Sequence, residues 1–105
     1  MLVKTPNPPY YAVIFTSKLT EKIADYEETA VFMMELASKQ AGFLGVESAR
    51  SEVGITVSYW ESLEAIERWK HQADHAFARN KGRSTWYSHY TIRICKVERA
   101  YDFEK

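Results

Sequence analysis

The sequence predicts an α+β fold: a four-stranded antiparallel sheet with two helices on one face, the elements running strand, helix, strand, strand, helix, strand. Three observations lead there. Within residues 55–70, ITVSYWESLEAIERWK, a stretch with alternating side chains gives way to one with apolar positions three and four apart, so a strand hands over directly to a helix. A second strand-then-helix succession lies upstream, in residues 10–40. Two more β-rich stretches, residues 43–50 and 86–97, complete the set. This order is the ferredoxin-like βαββαβ arrangement.

Each element has its own reason. Pro6, Pro8 and Pro9 open the chain with residues that cannot be helical and cannot donate to a central ladder, so residues 1–9 read as a leader. Residues 10–17, YYAVIFTS, are apolar on both parities, as in a strand buried on both faces. Ile23, Tyr26, Ala30, Met33 and Ala37 then form a helical stripe. That helix is expected from about residue 21 to about 40, ending near Gly42, which suits a left-handed turn. Residues 43–50 and 55–60 joined by residues 51–54 form a hairpin. Ser62 is the expected N-cap of the second helix, with Glu61 and Glu64 at its positive end. Its stripe is Ile66, Trp69, Ala73, Ala76 and Phe77, and Gly82 in RNKGR is the expected breaker. In the last strand Tyr90, Ile92 and Ile94 alternate with Thr91, Arg93 and Cys95. Residues 10–99 make the domain, and residues 100–105 a tail carrying Tyr101 and Phe103.

Composition limits what this fold can do. At 105 residues, 46% hydrophobic and 14% aromatic, the chain is one domain with one core. Its 14 basic and 14 acidic residues cancel. Without a bulk positive field, nucleic acid and anionic membranes are not expected partners. The single Cys95 excludes an internal disulfide, which fits a reducing, cytoplasmic setting. The N-terminus lacks the apolar core of a signal peptide, and no stretch approaches the ~20 apolar residues of a membrane span. Two helices on one face leave the other bare, although the first strand is apolar on that side too. Stacking this face on a second copy hides it, so an isologous homodimer is expected, with the tail reaching the partner.

The candidate chemistry centres on the second helix. His71 and His75 are four residues apart and share a helix face, and an imidazole can take a proton from a phenol near neutrality. They are the candidate catalytic residues. Their spacing is also that of zinc-binding helices, but HQADH carries Gln72 where HExxH has its glutamate, and only His89 remains as a further imidazole. No metal site and no cofactor are therefore expected. Tyr59, Trp60, Trp69, Trp86 and Tyr90 are the candidate substrate-binding residues, lining a pocket for a planar apolar molecule; the competing reading makes them core and dimer interface. Arg79, Lys81 and Arg83 read as a solvated helix end or as contacts for an anion, and Cys95 as a core thiol.

The order of elements, GFLG at residues 42–45, and above all YWESLEAIERWK followed by DHAFAR resemble the antibiotic biosynthesis monooxygenase-like family of small bacterial proteins. Trp60, Ala65 and the segment from His75 to Phe77 fall where that family has a tryptophan, an alanine and a histidine followed closely by phenylalanine. The resemblance covers residues 10–97 and implies a dimeric α+β barrel with a cavity between helices and sheet in each subunit. It further implies oxygenation of an aromatic substrate without metal or flavin, or degradation of haem. Trp69 stands where many relatives have a histidine, and Thr16 and Ser17 stand where oxygenating relatives often have an asparagine. Two functions are compatible with this reading. One is a cofactor-independent monooxygenase of a small phenolic or quinol substrate. The other is a non-catalytic small-molecule-binding or dimerisation module.

Overall fold

A computed structural model describes residues 2–80 and 83–105, without the side chains of residues 77–80, 83 and 84. Strand β1 (Tyr10–Leu19), helix α1 (Tyr26–Ser38), strands β2 (Phe43–Arg50) and β3 (Gly54–Trp60), helix α2 (Leu63–Asn80), a one-turn helix α3 (Arg83–Trp86) and strand β4 (Tyr87–Val97) follow in order. The sheet runs β2-β3-β1-β4, antiparallel throughout. This is the expected ferredoxin-like arrangement.

Register decides which side chains share a face. Tyr11 pairs with Trp60 and Lys96, Val13 with Ser58 and Ile94, Phe15 with Thr56 and Ile92, and Ser17 with Gly54 and Tyr90. These residues form the helix face. The core cluster of Ala37, Trp60, Ala65 and Ile66 lies on that side, with Tyr11, Val13, Phe43 and Trp69 packed against it. Tyr10, Ala12, Ile14 and Thr16, with Tyr59, Val57 and Ile55 of β3, form the outer face.

Both helices start and stop for local reasons. Ser62 caps α2 as expected, its hydroxyl accepting the Ala65 N–H at 3.1 Å. Helix α1 begins at Tyr26, five residues later than the apolar stripe suggests. Thr20 explains part of the delay: its N–H reaches the Trp86 carbonyl (2.7 Å) and its hydroxyl the Thr85 carbonyl (2.7 Å), so the chain after β1 is tied to the start of β4. Asp25 then turns through the left-handed region at φ 65° before helical geometry sets in. Gly42 has the expected left-handed conformation, φ 87°, and a Cβ there would lie 2.6 Å from Ala65 Cβ. Only glycine lets the end of α1 pass so close to α2. The breaker at Gly82 lies outside the described residues.

The leader is not a free end. Its chain crosses the outer face, where the Val3 side chain covers Gly45, the Val3 N–H donates to Glu47 Oε2 (3.0 Å), and the Thr5 hydroxyl donates to the Tyr10 hydroxyl (2.9 Å). Tyr10 and Ala12 are buried as a result, at the same end of β1. The tail, by contrast, pairs with no strand. Pro8 and Pro9 precede β1 at that point and offer no N–H to extend the ladder.

Glu47 fastens this leader, because its other oxygen accepts the Tyr59 hydroxyl at 2.7 Å. The Val3 N–H and the Tyr59 hydroxyl together hold the Glu47 carboxyl below its ordinary value. Burial, and then the hydrogen bond to Glu47, push the Tyr59 phenol up to about 12. A depressed carboxyl stabilises the fold above its unfolded-state value, and the contribution fades as pH falls from about 4.5 through the lower folded-state value. A raised phenol contributes below its own unfolded value and loses that contribution as pH rises toward 12. Wild type is therefore expected to lose more stability than Glu47→Gln between neutral pH and pH 3, read as urea midpoints. Parallel curves would show that Glu47 does not carry this dependence.

Candidate active site

The sheet brings the predicted aromatic residues to three different places. Trp60 is fully buried, stacked on Trp69 at 6.0 Å between centroids and 21° between planes, edge-on to Phe43, and donating its indole N–H to Ser58 Oγ at 2.9 Å. It is a core residue with its polar atom satisfied, although Trp69 beside it is only partly buried. Tyr59, one residue away, points to the opposite face, where it meets Tyr10 and Glu47. Trp86 and Tyr90 lie at the far end of the sheet. Tyr90 pairs with Ser17, six residues along β1 from the Tyr11 that pairs with Trp60, so the two are roughly 20 Å apart along the strands.

That far end is a continuous aromatic surface. Phe15 stacks on Tyr90 at 5.4 Å and 24°, and Tyr87 stands edge-on to both, at 5.5 and 5.7 Å. Tyr26 closes the end, edge-on to Tyr87 and Trp86, and the Trp86 indole N–H is held by the Ala24 carbonyl at 2.8 Å. Arg50 lies across Gly54, donates to the Ser17 hydroxyl and carbonyl, and approaches the Tyr26 ring at 5.7 Å. Between this end and the Trp60 core, the helix face of β4 is open: Tyr90 is 41%, Ile92 49% and Ile94 50% exposed. Large apolar side chains on the side where the helices pack are thus left half in water, continuous with Val13 and Phe15 of β1, their partners in the ladder. Phe15, Ile92 and Ile94 were not among the predicted site residues. Their signal was parity, since each falls on the same face as Tyr11 and Trp60.

The two histidines of α2 are both exposed and share one face of that helix. At 100° per residue, His71 projects roughly 200° from Trp69, nearly opposite the apolar stripe. It is exposed and shares with Gln40, Glu67, Arg68 and Gln72 a shallow depression of ≈ 410 Å³ between α2 and the turn after α1. The structure does not bring it to the aromatic residues. His75 is exposed too and, at roughly 240° from Trp69, lies beside His71 rather than toward the apolar stripe. His89 is on β4, its ring within 3.1 Å of the Thr91 hydroxyl, on the outer face. Among the described residues no three His, Cys, Asp or Glu side chains gather as a metal site, and no helix is long and apolar enough to cross a membrane. Lys81 and the side chains of Phe77, Arg79 and Arg83, named from the sequence, lie outside the described residues.

A family model described as antibiotic biosynthesis monooxygenase matches residues 9–81. The chain belongs to the antibiotic biosynthesis monooxygenase family. A curated relative, the uncharacterised protein YqjZ of Bacillus subtilis, is 53% identical over 106 residues, spanning 99% of this chain and 93% of YqjZ. Among solved structures, SnoaB of Streptomyces nogalater, a cofactor-independent oxygenase, matches with a TM-score of 0.72 at 12% identity over 89% of this chain and 97% of SnoaB. PA3566 of Pseudomonas aeruginosa matches with a TM-score of 0.67 at 15% identity over 91% of this chain and 99% of its own. At such identities the likeness to solved structures is one of fold. It is the monooxygenase-family fold that residues 42–77 led us to expect, with Trp60 and Ala65, at the family's tryptophan and alanine positions, both at the centre of the core.

Proposed function

We propose that this chain is a cofactor-independent monooxygenase acting on a small aromatic substrate, a phenol or quinol, bound over the open apolar surface of β4. The observation that carries this reading is the half-exposed apolar floor of Tyr90, Ile92 and Ile94 backed by Phe15, a flat surface on which a planar ring can stack. Kinship of fold with an oxygenase that needs no cofactor supports the reaction class. The chemistry balances without a reductant. A base takes the phenolic proton, and a hydrogen-bearing ring carbon ortho or para to the resulting anion gives an electron pair to dioxygen, forming a C–O bond. The O–O bond then breaks, one oxygen leaving as water with two substrate hydrogens and the other remaining as a quinone carbonyl. His75, which stands where the resemblance places the family's histidine, is the proposed base, with His71 on the same helix face as the second candidate. Tyr90 orients the ring with Trp86 at the same end of the sheet, and Tyr59 and the stacked Trp60 and Trp69 support the site from the outer face and the core.

The protein works as a homodimer closed through its outer sheet face, in the cytoplasm. Val57, Ile14 and the exposed Ile55 on that face favour the dimer, and the unpaired Cys95 favours the compartment. One observation favours the alternative, a non-catalytic small-molecule-binding or dimerisation module: among the described residues no imidazole stands on the helix face of the sheet. Oxygen-electrode measurements over a panel of dihydroxynaphthalenes and hydroquinones decide between them. The oxygenase is expected to take up one dioxygen per quinone formed, with tryptophan fluorescence quenched on binding. Quenching without uptake across the panel would favour the binding module, and neither effect would sink both.

A further inference from the structure

Arg50 sets a positive charge at the aromatic end of the helix face. It opens a row that runs Arg50, Gly54, Ser17, Tyr90 across β2, β3, β1 and β4. Its guanidinium lies over Gly54 and donates to the carbonyl and the hydroxyl of Ser17, a residue only 1% exposed. Tyr26 joins this cation to the rings beyond it. Arg50 approaches the Tyr26 ring at 5.7 Å, and that ring stands edge-on to Tyr87 at 5.9 Å. Tyr87 in turn touches Phe15 and Tyr90. Cation and aromatic side chains thus form one continuous surface.

The charge of Arg50 is uncompensated and its position is fixed. It forms no ion pair among the described residues, with Glu27 and Glu28 of the first turn of α1 included. By register, the helix-face positions of the four strands hold no acid, and their other charge is Lys96, at the opposite end opposite Tyr11. The bonds to Ser17 leave further guanidinium N–H groups that have no partner among the described residues. A staple between the hairpin and β1 needs only a neutral donor, whereas a full positive charge with spare donors suits an anion. Because Ser17 already holds the side chain, pairing with that anion costs little rotamer freedom. We infer that Arg50 binds a carboxylate on the substrate, so that the chain selects aromatic acids over neutral phenols of the same ring size. The inference rests on the aromatic-substrate reading above and adds the group that anchors the ring. Tyr90 stands two strands from Gly54, roughly 10 Å, close to the length of two fused rings with a carboxylate at one end. A carboxylate lies flat against a guanidinium and accepts paired N–H bonds from it, which sets the rings over Phe15 and Tyr90.

Isothermal titration calorimetry on the full chain tests this with two probes: a hydroxynaphthoate whose hydroxyl and carboxylate lie at opposite ends of the rings, and the same naphthol without the carboxylate. The wild type is expected to bind the acid tenfold or more tightly than the naphthol. Arg50→Ala should abolish that preference and leave naphthol affinity within about twofold of wild type. Should this variant fail to fold, Arg50→Gln, which keeps a donor for Ser17 and drops the charge, should show the same loss. Lys96→Ala removes an equal charge from the other end of the face and should keep the preference. Equal binding of both probes by the wild type, a preference that survives in Arg50→Ala or Arg50→Gln, or one lost equally in Lys96→Ala would overturn the role of Arg50 while leaving the aromatic site standing. Binding of neither probe would remove the aromatic site, and the inference with it.

Discussion

Trp60→Ala is expected to lower unfolding free energy by about 3–5 kcal/mol, the range for removing a large aromatic side chain from a core. The indole is wholly buried and is the common neighbour of Phe43 and Trp69. Its loss leaves a void under α2 that Ala65 and Ala37 are too small to fill, and it strips Ser58 Oγ of its donor. Urea unfolding at neutral pH reads the effect as a lower midpoint with little change in slope. Trp60→Phe should recover part of the stability, since a ring remains beside Trp69. A loss under about 1 kcal/mol for the alanine variant would mean that the core does not depend on this side chain.

The second large effect concerns turnover. His75→Ala is expected to reduce oxygen uptake on an active quinol by about 10²-fold or more, the usual contribution of a positioned general base. Its side chain is exposed, so the unfolding curve should scarcely move. His71→Ala is the matched comparison: same helix face, one turn away and equally exposed. It should retain wild-type uptake. Equal losses in both variants would indicate a general effect on α2, and full activity in His75→Ala would take that imidazole out of the mechanism.

Much of the fold can be read from local pattern, because local physics sets it. Ser62 caps where a hydroxyl precedes an apolar stripe, Gly42 turns left-handed where a helix must stop, and both residues behave as their chemistry predicts. The late start of α1 was not legible, because Thr20 bonds to the carbonyls of residues 85 and 86, far along the chain. Docking of the leader was hidden for the same reason, since Val3 and Glu47 are 44 residues apart. The candidate site shows the limit most clearly. Tyr59 and Trp60 are neighbours in sequence and face opposite ways, a fact period-2 alternation already contains. Trp60 and Tyr90 share a face yet stand at opposite ends of it, and only strand register reveals the separation.

Gly54 has no need of glycine's backbone freedom, as its φ is not positive, yet a Cβ there would collide with the Arg50 guanidinium lying across it. The space belongs to the arginine. Without the bare backbone at 54, Arg50 could not lie flat and reach the Ser17 hydroxyl and carbonyl. A side chain gained at 54 would push the end of this flexible arginine aside while leaving the arginine itself in place. What it would undo is the clasp joining the hairpin to the first strand.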